Sequence, residues 1–278
     1  MEEIHFLDDI WVGKDDLKVS VFDLSVARGY GIFDFLRTYG NKPFRLAEHI
    51  DRLFISAKLL DIAVPKSKEE IEKIVYEGIE KNAFKETAIK IIVTGGISID
   101  SITPGKPSFI VTFTKAPEYP QDYYTKGVKI ITLPFTRFLP EVKSLDYFAA
   151  VVGMKKAASL GAKEVLYIDE EQRITECTRN NIFFVKNNSL VTPAEKGILK
   201  GITRKVVLEA AKKVSINVTE REITLDELPF FQEAFNTAST VEVLPVVTID
   251  DTAIGDGAVG PVTKKIMKAF RDITSDRG

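Results

Sequence analysis

The chain has 278 residues, 45% hydrophobic and 28% charged, a globular rather than a disordered composition at a length where two domains are expected. Its 38 basic and 40 acidic residues leave a formal charge of -2, without the basic excess of a nucleic-acid binder. One cysteine, Cys177, and two distant histidines, His5 and His49, exclude a disulfide framework and offer no ligand spacing for a zinc site.

The opening MEEIHFLDDIW is acidic and poor in apolar residues, unlike a signal peptide, and no run of about 18 apolar residues occurs to span a bilayer. These features predict a soluble, cytoplasmic protein. Strands are predicted at Ile4–Leu7, Lys18–Val21 and Phe33–Tyr39, with Gly40–Asn41 turning the chain into Pro43–Leu46. From about Ala47, the apolar residues Ile50, Leu53, Phe54, Ala57 and Leu60 recur at helical spacing. A second helix over Lys68–Lys81 and strands at Ala88–Thr94 and Ser108–Thr114 complete a small α+β domain over residues 1–114. The stretch KAPEYPQDYYTKG, residues 115–127, has the prolines and polar residues of a linker.

The larger predicted domain, residues 128–278, opens with a strand at Val128–Leu133 and a helix over about Asp146–Leu160 that Gly161 would stop. Strands follow at Glu164–Ile168, Arg173–Glu176, Ile182–Val185 and Leu190–Thr192, the last two joined by a turn at Asn187–Asn188. Helices are predicted from about Ile202 and from Pro261, where proline suits the first turn.

Several short stretches could carry chemistry. Gly197–Arg204 sets glycine and threonine at a helix start, where free N–H groups and the helix dipole can seat a phosphate; an ordinary capping threonine reads the same way. Asn236–Thr240 is a cluster of small polar residues, read either as an anion-binding loop or as a plain turn. Lys143 lies just before a predicted helix; a desolvated lysine is a nucleophile, although solvation is the commoner fate. Glu176 ends a strand where a carboxylate could pair with a ring nitrogen or face water, and Arg28 and Arg52 are by default solvated.

Seven blocks in order add to this reading: RGYGIFDFLRTY at 28–39, EHIDRL at 48–53, KSLDY at 143–147, ITECTRNNIFFV at 174–185, LKGITRK at 199–205, NTASTVEVLPV at 236–246 and GPVTKKI at 260–266. Together they resemble the fold-type IV pyridoxal-phosphate enzymes, which include D-amino-acid transaminases, branched-chain aminotransferases and aminodeoxychorismate lyases. The resemblance covers almost the whole chain and implies a two-domain α+β fold with pyridoxal 5'-phosphate between the domains. It implies that Lys143 is the catalytic Schiff-base lysine, that Glu176 partners the pyridine nitrogen, that Tyr147 bonds the phenolic oxygen and that Leu199 packs on the ring. Arg52, Ile202, Thr203 and Ser239 would hold the phosphate, an arginine fork suiting that task.

Arg28, Arg179 and Thr240 are the implied substrate-side residues. Branched-chain aminotransferases typically carry tyrosine and a small residue where this chain has Arg28 and Arg179. The well-known D-amino-acid transaminase pattern has an Arg-x-His trap after the strand at Ala88–Thr94, but this chain reads Thr94-Gly95-Gly96-Ile97-Ser98-Ile99. The arginine pair thus resembles a less common group of D-amino-acid transaminases, with Arg28 and Arg179 as a substitute carboxylate trap; Lys90 is a further, weaker candidate for the pocket. The expected activity is a ping-pong exchange between D-amino acids and 2-oxo acids. The resemblance also implies a homodimer in which the Arg28 segment enters the neighbouring subunit's site. The alternatives are an L-branched-chain aminotransferase, a lyase of the same fold, and a non-catalytic cofactor-binding protein, against which Lys143 and Glu176 together speak.

Overall fold

A computed structural model describes residues 3–275, which divide into two compact α+β units. The first comprises residues 3–117 together with Val142–Tyr147, and the second Glu118–Glu141 with residues 148–275. The six residues around Lys143 therefore pack with the first unit, although the sequence reading assigned them to the second domain.

In the first unit, β1 (Ile4–Leu7), β2 (Ile10–Gly13), β3 (Gly31–Tyr39), β4 (Lys42–Pro43), β5 (Thr87–Thr94) and β6 (Phe109–Lys115) form one sheet, in the order β2-β1-β6-β5-β3-β4. Alternation gives it two different faces. Ile32 and Leu36 of β3, Ile89, Ile91 and Val93 of β5, and Phe109, Val111 and Phe113 of β6 share a buried cluster with α2 (Leu46–Leu59) and α3 (Lys68–Asn82). The opposite face carries Phe33, Phe35, Lys90, Ile92 and Thr112. A capping box starts α3: the Glu70 N–H donates to the Ser67 hydroxyl and the Ser67 N–H to the Glu70 carboxylate.

Two local expectations fail here, and one helix was not expected. Lys18–Val21 is not a strand, because no neighbouring chain pairs with it; the pairing goes instead to β2, which makes a hairpin with β1. Pro43–Leu46 does not continue as a strand, because Arg45 takes a left-handed φ of 56° and α2 begins at Leu46. A short helix absent from the sequence reading, α1 (Leu24–Arg28), is capped by Asp23 and ended by Gly29 at φ 71°.

The second unit opens with α4 (Gln121–Thr125), inside the stretch read as linker, and then β7 (Val128–Pro134), α5 (Phe148–Ser159), β8 (Val165–Ile168), β9 (Ile174–Cys177), β10 (Asn181–Lys186) and β11 (Ser189–Thr192). After α6 (Ile202–Lys213) come β12 (Val218–Glu220), β13 (Glu233–Ala238), β14 (Glu242–Ile249), β15 (Thr252–Ala253) and α7 (Pro261–Ser275). The sheet runs β12-β11-β10-β13-β14-β7-β8-β9, with β15 on β14. Side chains from strands at both ends of this path, Val191 and Ile174 among them, enter one apolar cluster, so the sheet curls on itself. β13 and β14 were not read from the sequence, and Asn236–Ala238, read as loop, are strand residues; only Ser239 and Thr240 fall in the turn that follows. The start of α7 is held by Glu233, which accepts from the Val262 and Thr263 N–H groups at 3.0 and 2.7 Å.

Candidate active site

In the first unit, the Lys143 segment is laced to β3 from outside the sheet. The Phe33 N–H donates to the Lys143 carbonyl at 3.0 Å, the Leu145 N–H to the Gly31 carbonyl at 2.9 Å, and the Lys143 N–H to the Ser56 hydroxyl of α2 at 3.1 Å. This backbone anchoring places the half-buried Lys143 ammonium 4.6 Å from the Phe33 ring centroid, and the Tyr147 ring meets Phe33 edge-on at 5.6 Å. Gly29 lies against the same segment, since a Cβ there would sit 3.5 Å from the Asp146 backbone. Arg28 thus ends α1 close to Lys143 in the chain's path, but its side chain is exposed and donates to its neighbour's carbonyl, Ala27, at 3.0 Å.

Beneath β3, Arg52 donates from Nε and Nη2 to the two oxygens of Asp34, both at 2.8 Å, while His49 Nδ1 meets Asp34 Oδ1 at 2.6 Å. The bidentate grip fixes the plane of the Arg52 fork. Burial would raise the Asp34 pKa, but Arg52 and His49 outweigh it and hold the carboxyl well below its ordinary range. Burial pushes the His49 imidazole down against the pull of Asp34, with Arg52 and Lys143 adding to the push. A neutral His49 donating from Nδ1 to an ionised Asp34 fits these directions. Neither Asp34 nor His49 was singled out as functional from sequence.

In the second unit, the implied cofactor residues gather at one end of the curled sheet. Glu176 is buried at the end of β9, with Oε1 accepting from Arg137 Nη1 at 2.6 Å and Oε2 from the Leu199 N–H at 3.1 Å. Arg137, which carried no sequence signal, opposes the charge of this carboxylate. Asn181 at the start of β10 pairs with Thr237 of β13 and donates to the Leu199 carbonyl at 3.0 Å. It also explains Gly201, where a Cβ would fall 2.0 Å from Asn181 Oδ1. These contacts bring the Ser239–Thr240 turn, Leu199, and Ile202 and Thr203 at the head of α6 to the same end of the sheet.

Arg179 occupies the turn between β9 and β10. Its Nε lies 3.4 Å from buried Glu164, which also accepts from Thr178, from Asn180 at 3.0 Å and from the Val165 N–H at 2.9 Å. Burial raises the Glu164 pKa, with Arg179, Thr178 and Val165 opposing it. Among the described residues, the terminal nitrogens of Arg179 have no partner, and half of the side chain is exposed. Cys177 is buried beside this network, and burial pushes its thiol well up, away from nucleophilic thiolate character.

Two features of this unit suit a phosphorylated ring. No side chain caps α6, which leaves the first N–H groups of a helix, at Ile202 and Thr203, for an anion. On β13, leading into Ser239, the Thr237 hydroxyl, on the face of the strand that its partner Asn181 shares, is buried without a partner among the described residues, an uncommon condition for protein polar groups.

Residues 31–249 match the family model described as Amino-transferase class IV. A Methanocaldococcus jannaschii protein provisionally named a branched-chain-amino-acid aminotransferase is 38% identical over 98% of this chain and 97% of its own length. The D-alanine aminotransferase of Listeria monocytogenes serotype 4b is 33% identical over 93% of this chain and 92% of its own. The crystal structure of a branched-chain amino acid aminotransferase from T.th. with pyridoxamine 5'-phosphate superposes with a TM-score of 0.93 at 27% identity, over 100% of this chain and 96% of that one.

Proposed function

The chain belongs to the class IV aminotransferase family, and we propose that it is a pyridoxal-phosphate-dependent transaminase of D-amino acids. It exchanges the amine of substrates such as D-glutamate or D-alanine with 2-oxo acids such as 2-oxoglutarate or pyruvate, by a ping-pong mechanism. When bound, the cofactor supplies an electron sink that stabilises the carbanion formed as a proton leaves the substrate carbon. Lys143 provides the amine that anchors the cofactor and then carries that proton. Glu176, its charge opposed by Arg137, holds a proton on the ring nitrogen. Tyr147 donates to the phenolic oxygen, and Leu199 covers the ring. The Ile202 and Thr203 N–H groups, the Thr203 and Ser239 hydroxyls and Arg52 hold the phosphate. Arg28, Arg179 and Thr240 orient the substrate.

The observation that carries the reading of a substrate with a second carboxylate, rather than a branched aliphatic side chain, is Arg179, fixed by Glu164 through Nε with its terminal nitrogens unpartnered among the described residues, in the turn that follows Glu176. Such a fork suits a carboxylate and is a poor lining for an aliphatic side chain. Arg179→Ile is expected to lower kcat/KM for D-glutamate about 10- to 100-fold, the worth of one charge-assisted hydrogen bond, and for D-alanine much less. Equal losses on both would remove Arg179 as the reader of the side-chain carboxylate. A second reading, transfer from L-branched-chain amino acids, draws on the names of the M. jannaschii relative and of the pyridoxamine-phosphate-bound structure.

A homodimer belongs to the same proposal. Around α1, the side chains of Val21, Phe22, Val26, Ile97, Ile99 and Ile102 are exposed, and the Ser98 N–H donates to the Phe22 carbonyl, joining the two stretches. An apolar patch of this kind is what a second copy would cover.

A further inference from the structure

The chain from Val142 to Leu145 runs along β3 as an added edge. Ser144 bridges to Ile32 in the antiparallel sense, flanked by hydrogen bonds from the Phe33 N–H to the Lys143 carbonyl and from the Leu145 N–H to the Gly31 carbonyl. Strand alternation then divides the side chains. Val142 is buried in the apolar cluster that the sheet shares with α2 and α3, whereas Lys143 turns the other way, toward the Phe33 ring. On the helical side, Ser56 of α2 is fully buried, and its hydroxyl accepts from the Lys143 N–H at 3.1 Å. Two of these three hydrogen bonds join backbone to backbone; the third depends on a side chain. That side chain stands four residues after Arg52, so the two are neighbours on one face of α2, separated by roughly 6 Å along its axis.

We propose that Ser56 is a positioning residue: it ties the Lys143 backbone to the helix that carries Arg52, so that the amine which anchors the cofactor and the guanidinium which holds its phosphate keep one fixed separation. This rests on the transaminase reading above, but not on the hand or the carboxylates of the substrate. Arg52 is locked to β3 through Asp34, and the Lys143 segment is laced to the same strand. α2 and β3 therefore grip both groups from two sides. Alanine at 56 would remove the partner of the Lys143 N–H at a fully buried position, where water does not replace it. The segment would then sample more orientations, and the effective concentration of the amine at the cofactor aldehyde would fall.

The test reloads the cofactor-free full chain with either of two ligands. Pyridoxal 5'-phosphate can be attached by Lys143, the amine's two hydrogens leaving with the aldehyde oxygen as water. Pyridoxine 5'-phosphate carries an alcohol in place of the aldehyde and binds without attachment. Visible absorbance follows the first and calorimetry the second, and the ratio of the two affinities cancels general damage to the site. Ser56→Ala is expected to lower that ratio about 10-fold, the worth of one hydrogen bond whose buried donor is left unpaired. Ser56→Thr, which keeps the hydroxyl, is expected to keep the wild-type ratio. A Ser56→Ala ratio within twofold of the wild type overturns the proposal, as does an equal fall in Ser56→Thr, which would lay the effect on packing. A wild type that forms no visible band, or a Lys143→Ala variant that forms the same one, defeats the transaminase reading and the proposal with it, whereas the two former outcomes defeat the Ser56 role alone.

Discussion

At the scale of single residues, the buried Asp34–His49–Arg52 cluster sets a pH dependence of stability. Both Asp34 and His49 have folded-state pKa values below their ordinary 3.8 and 6.5. Below 6.5 the unfolded chain takes up a proton at His49 that the folded chain refuses, so stability present above that pH is lost as the pH falls. Asp34 adds a second loss only in the acid carboxylate range. Denaturant unfolding of the wild type should therefore show stability falling between pH 7 and 5, with a shallower slope in His49→Gln. Identical slopes would mean that His49 takes up its proton alike in the folded and unfolded chain, and a steeper slope in the variant that it is protonated in the folded state. The importance of these residues was not legible in the sequence, because Asp34 sits among apolar neighbours in β3 and its partners come from α2.

Among elements, the contact between α3 and its sheet depends on Gly78. A Cβ there would lie 2.0 Å from Cζ of Phe113, which is fully buried and has no room to retreat. Alanine would gain about 1 kcal/mol of helix propensity, but overpacking a fixed ring costs about 1–3 kcal/mol. Gly78→Ala should thus lose stability overall, visible as a lower thermal midpoint; a higher one would show that the helix can shift away from β6. The capping box that fixes the start of α3 entered only with the structure, whereas periodicity made α2 legible. It could not show β13 and β14, where Asn236 and Thr237 look like loop residues and pair as strand because β10 and β14 lie alongside. The Lys18–Val21 stretch had strand-like composition without a partner, and pairing, not composition, makes a sheet.

For the whole molecule, the order of seven short blocks was more informative than any one of them, since each is compatible with an ordinary turn, cap or surface charge. That order pointed to the family, and the family model and the relatives agree with it. Substrate choice was less legible, because it turns on where a few cations point: Arg28 and Arg179 were visible as residue types, but their exposure and the Glu164 grip were not. Sedimentation should show twice the chain mass, and charged substitutions at Phe22 and Ile99 should reduce it; a wild-type monomer with full activity would contradict the dimer. The most direct test of the proposed activity follows the visible absorbance of the cofactor-loaded protein after adding D-glutamate or L-leucine separately, with Lys143→Ala as the inert control. Rapid loss of the band with D-glutamate and none with L-leucine is the expected result; loss with L-leucine alone would contradict the D-amino-acid assignment and the role given to Arg179.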